Sequence, residues 1–191
     1  MSVYVFRFNP ITFLHMESES SIIYDRNTIE FVTVAVQFCE FLENMTGENQ
    51  KELIDKLTKI IPLLYLKASM LPAGDFLSDE EPETFVSEYD YEYIRMHLAE
   101  LFGANDDYLD VFSPDMPYSD TPITANMSED LADVYQDIKN FISVYAIGFD
   151  ETMHSALLVC KENFETFWGQ KAVNVLRPLH AIKYDKNQED T

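Results

Sequence analysis

SEDLADVYQDIKNFISVY, residues 128–145, is the stretch that decides the fold. Leu131, Val134, Tyr135, Ile138, Phe141, Ile142 and Tyr145 recur at helical spacing, the stripe an α-helix turns towards a core. Ser128 stands at the N-cap position, Glu129 and Asp130 suit the positive end of the helix dipole, and Gly148 is a stop.

The same period runs outward in both directions. In 27–45, Phe31, Val34, Ala35, Phe38, Leu42 and Met45 face one way and Glu30, Thr33, Gln37, Glu40 and Asn44 the other, with Asn27 and Glu30 spaced as a capping box. Residues 49–71 put Leu53, Leu57, Ile60, Ile61 and Leu64 inside, and Pro62 is expected to kink that helix. After Pro72, Ala73 and Gly74, an acidic connector leads to Ser87 and Asp90, which read as the cap of a helix ending at Gly103. Asp150 opens the last helix, expected to bend at Gly169 and to end or kink at Pro178. Between these helices, 104–127 has no sustained period, three prolines and five aspartates, and reads as one long acidic loop. The expected fold is therefore an all-α, single-domain bundle of about five helices. It spans 22–184, after a loose leader at 1–21 and before a frayed polar tail at 185–191. Met16, which opens the polar run MESESS, reads as a candidate biological start.

Charge narrows the partners. The formal net charge is -21, and 79–137 holds 17 of the 34 acids against one base, Arg95. Such a surface repels phosphate backbones and anionic lipid heads, so nucleic acid and membrane surfaces are poor partners and a basic protein is a natural one. The apolar run 60–66 is far shorter than a bilayer span needs. Cys39 and Cys160 lie on apolar stripes without metal-ligand spacing, a usage that fits the reducing cytoplasm.

Few constellations carry chemistry. Asp130, Asp133 and Asp137 share one helical face, and Glu40 with Glu43 offers a second pair. Converged carboxylates of this kind hold hard cations such as magnesium or manganese in all-helical nucleotide pyrophosphatases. That family's paired motifs lie close in sequence, whereas about eighty residues separate them here. Glu151 and His154 form one Glu-x-x-His step, but a di-iron bundle needs it twice. The chain has no G-x-S-x-G elbow, Walker loop or dinucleotide fingerprint, so no catalytic residue and no cofactor is assigned.

Two segments stand out as binding candidates. One is the loop, through Asp115, Tyr118 and Asp120; the other is FETFWGQKAVNVLRPLH, 164–180, through Trp168, Gln170, Lys171, Asn174 and Arg177. Lys171, Asn174 and Arg177 step along one side as a basic strip in an acidic protein. That strip either docks on the Asp130 face of the same fold, the expected outcome, or receives an anion.

In order along the chain, EFVTVAVQFCEFLE, KIIPLLYLKASMLP, YDYEYIR with LAELFG, VFSPDMPYSDTPI, SEDLADVYQDIKNF and FWGQKAVNVLRPLH resemble the family termed domain of unknown function 5063. The resemblance spans about 22–182 and implies an all-helical domain without an assigned activity. The function expected first is a non-enzymatic, cytoplasmic interaction domain whose contact surface is the acidic loop and the Asp130 face. The alternative is a metal-dependent hydrolase of the pyrophosphatase kind, with Glu40, Glu43, Asp130, Asp133 and Asp137 as ligands and Lys171 or Arg177 holding phosphate.

Overall fold

A computed structural model describes residues 22–45, 47, 49–76, 81–110 and 123–185. In chain order the described elements are α1 (Arg26–Glu43), α2 (Gln50–Ser69), α3 (Glu88–Phe102), β1 (Asp107–Asp110), β2 (Ile123–Asn126), α4 (Met127–Ile147), α5 (Asp150–Asn163) and α6 (Gly169–Lys183). The wide turn Phe164–Trp168 joins α5 to α6 without breaking the rod. Counting that rod once, five helices form the domain among the described residues.

The stretch that decides the fold is also its centre. Helix α4 packs against α1, α3, α5 and α6, and Leu131, Val134, Tyr135, Ile138, Phe141 and Val144 of its inner stripe are buried. Helix α2 closes the other side against α1 and α6. Leu53, Leu57, Ile61 and Leu64 of α2 join the same core as Phe31, Phe38 and Trp168. At roughly 1.5–3 kcal/mol for each large apolar side chain taken out of water, this cluster is the main source of stability.

Helix α2 is capped by Asn49, which the spacing places inside the helix and which accepts from the Glu52 N–H at 3.0 Å. Local expectations hold where the required partner lies within a turn. Ser87 and Asp90 form the full capping box of α3. They fail where a distant group competes. Glu30 does not cap α1; Lys67 of α2 and Arg26 donate to it at 2.5 and 2.7 Å, and Asp25 caps the helix instead. Two cations hold a carboxylate more strongly than one backbone N–H. Helix α2 runs on through Pro62, and α6 through Pro178 to Lys183.

The 104–127 segment is corrected in part. Its ends pair as an antiparallel ribbon, Asp107 opposite Asn126 and Asp110 opposite Ile123. Four-residue strands carry too few alternations to show a period. Both cysteines are buried and free, and burial pushes each thiol well above the usual range, which leaves it unreactive. Among the described residues no helix is long and apolar enough to cross a membrane.

Candidate functional site

The amino end of α4 is set by an aspartate far upstream. Asp106 accepts from the Ser128 N–H at 2.8 Å and from its hydroxyl at 2.6 Å. Its own carbonyl accepts from the Met127 N–H at 2.9 Å. Ser128 is therefore the capped residue, not the cap, and the helix begins earlier than its sequence suggests. This clamp ties the ribbon to α4.

On the next turn, Lys171 of α6 reaches between two carboxylates, donating to Asp130 Oδ1 at 2.9 Å and lying 2.7 Å from Asp133 Oδ2. Tyr108 of β1 donates to the other Asp130 oxygen, and Tyr91 of α3 donates to Asp133 at 2.9 Å. Burial alone would lower the Lys171 pKa, but the hydrogen bonds and charges of Asp133 and Asp130 outweigh it and hold the ammonium ionised. Burial raises the Asp130 pKa against the pull of Tyr108 and Lys171. Burial and the Asp130 acceptor likewise keep Tyr108 protonated.

The wide turn places Lys171. Gly169 N–H reaches back to the Phe164 carbonyl, and one extra residue in a turn rotates the downstream helix by about 100°. A methyl on Gly169 would lie 2.3 Å from that carbonyl and 2.9 Å from the Phe164 ring. Only glycine fits.

The basic strip therefore docks within its own fold through Lys171. Asn174 also meets this network beside Tyr108, while Gln170 donates to Asn174 at 2.8 Å. Arg177 is exposed and makes no ion pair among the described residues. Trp168 is corrected from a binding candidate to a core residue: it is 0% exposed and donates its indole N–H to the Cys160 carbonyl at 3.1 Å. Asp115, Tyr118 and Asp120 lie outside the described residues.

The acid face is also divided. Asp130 is 5% exposed, so it is not a contact surface. Asp137 accepts from Asn163 at 2.5 Å, and Glu43 accepts from Tyr135 at 2.9 Å and pairs with Lys139 at 2.6 Å. Glu40 is exposed. Among the described residues no group of three or more His, Cys, Asp or Glu is arranged to hold a metal ion. The hydrogen bonds of Tyr91, Tyr108 and Asp106 to α4 could not be read from the sequence, because no local spacing links these residues to that helix.

Hollows among the described residues border these groups. One of about 420 Å³ is lined by Tyr108, Asn126, Asp130, Gln170, Lys171 and Asn174. Its ammonium is already committed to two carboxylates, so it has no charge to spare for a phosphate. A second, about 550 Å³, lies between α4 and α5 and takes in Asp137, Asn163 and apolar Phe141, Val144 and Val159. A third, about 350 Å³, lies beside α3 and includes Phe85, Asp90 and Tyr93.

Fold and site together define a helical single domain built around one internal ion-pair network. The chain belongs to the family described as a domain of unknown function, DUF5063, whose model matches residues 22–185. It is similar to protein BF1032 from Bacteroides fragilis, a structural-genomics target with a crystal structure: 49% identity, 86% of this chain and 96% of that one covered, TM-score 0.77. No curated protein matches the chain.

Proposed function

We propose that this domain is a non-catalytic binding module for a basic protein partner. The observation that carries the reading is how the bases are used. Arg26, Lys59, Lys67, Arg95, Lys139, Lys161, Lys171 and Lys183 all pair with acids of the same chain. Exposed Glu81, Glu83, Glu88, Glu100 and Glu129 make no ion pair among the described residues. The surplus acid is thus concentrated outside, on the connector, on α3 and at the start of α4. A field of that kind steers a positively charged partner and rejects nucleic acid.

The hydrolase alternative has less support. A cation at Asp130 and Asp133 would have to displace Lys171, and Glu43 and Asp137 are engaged elsewhere. Thermal unfolding with and without millimolar magnesium or manganese tests it, and an unchanged midpoint is expected. For the binding reading, the full chain is used to capture proteins from a native extract at low and high salt, and each captured protein is then purified and titrated. A basic partner whose affinity falls steeply with salt is expected. Absence of any reproducible, salt-sensitive partner would sink the reading.

A further inference from the structure

We propose that the outward face of α3 docks an amphipathic helix with basic flanks, supplied by another protein. The inference rests on the binding-module reading and names its surface and partner.

Helix α3 carries two apolar stripes. The inner one, Ile94, Leu98 and Phe102, is buried, chiefly against α4. On the opposite side Tyr89, Tyr93 and Met96 recur at steps of four and three, the seam by which one helix packs along another. Tyr89, Tyr93 and Met96 are 78%, 49% and 61% exposed. A helix with a second stripe of this kind suits the middle of three layers, and among the described residues nothing covers its outer side. The seam continues past the N-cap: Phe85 is exposed, and with Tyr93 it borders the hollow of about 350 Å³.

The surface is held ready. Asn140 of α4 accepts from the Phe85 and Val86 N–H groups at 2.7 and 2.9 Å, and the Ser87–Asp90 capping box fixes the first turn. Little ordering is left to be done on binding.

Charge selects the occupant. Glu88 and Glu92 flank the seam, Glu100 stands in line at its far end, and the one base of α3, Arg95, is held in a fork by Glu92. A partner with apolar side chains at matching steps and Lys or Arg beside them would cover the aromatics and neutralise the flanks. A second copy would set like charges against one another. Residues 1–21 carry one Lys or Arg, Arg7, against Glu17 and Glu19, and so do not complement the acidic flanks.

The test titrates the full chain with two synthetic peptides of identical Leu, Lys and Arg content. One places Leu at steps of three and four, and the other permutes the order so that no stripe forms. The ordered peptide is expected to bind at least about tenfold more tightly, with amide shifts concentrated at 85–100. Y89S/M96S, two exposed positions, is expected to retain wild-type circular dichroism and to lose that preference while binding the permuted peptide as before. If both peptides bind equally and Y89S/M96S changes nothing, the α3 surface is overturned and charge alone carries the binding-module reading. If neither binds at low salt, both readings fall. A dimer in sedimentation that Y89S/M96S dissolves would overturn the proposal in favour of a second copy.

Discussion

Asp106 holds the amino end of α4 through Ser128, taking its N–H at 2.8 Å and its hydroxyl at 2.6 Å across 22 residues of sequence. Both residues are buried, so removal of the carboxylate strands two donors away from water. D106A is expected to destabilise the fold by about 2–4 kcal/mol, above the usual loss for a helix cap, because stranded donors add to it. Urea unfolding measures this, and D106N should recover part of it by keeping one acceptor oxygen.

Lys171 serves two carboxylates, one of them nearly buried. K171M keeps the stem but leaves Asp130 without its cation. A cost of about 2–4 kcal/mol is expected, allowing for the partial exposure of Lys171, which lowers the unfolding midpoint by roughly 10 °C in a chain of this size. D130N/K171M should be more stable than K171M alone. A double variant no better than the single one would show that the pair is not coupled.

Gly169 gives a prediction of sign. In an ordinary helix interior Gly→Ala stabilises by about 1 kcal/mol. At Gly169 the added methyl would meet the Phe164 carbonyl at 2.3 Å, so G169A should destabilise by about 2 kcal/mol or more. Because the wide turn sets the phase of α6, the variant should also disturb the Lys171 pair, visible as shifts at Asp130 and Asp133. A stabilised G169A would contradict this account of the turn.

Asp137 supplies the pH test. Burial raises its pKa, the hydrogen bond from Asn163 opposes that rise, and the Asp133 charge adds to it. The folded state therefore holds this proton more tightly than the unfolded chain does. That stabilisation is present at acid pH and is lost as pH climbs through the raised value. D137N mimics the protonated side chain and keeps an acceptor for Asn163. Relative to wild type it should gain stability as pH rises from the ordinary aspartate range to neutrality, in paired denaturant melts. A difference that does not vary with pH would remove Asp137 as a titrating group.

What could be read from the chain alone was whatever depends on neighbours within a turn or two. The stripe of α4 and the Ser87–Asp90 box are both local, because helix period and capping involve residues a few positions apart. Charge segregation was equally legible, since composition needs no fold. Tertiary structure alone decided which polar groups meet. Asp106 displaced Ser128 as the cap, Lys67 drew Glu30 from its capping role, and Tyr91, Tyr108 and Lys171 turned the Asp130 face from a surface into an interior network. It also decided that Tyr89, Tyr93 and Met96 stay outside. A stripe at helical spacing states only that a face is apolar. Which face is covered depends on the elements that pack beside it, and their placement is set by the whole core.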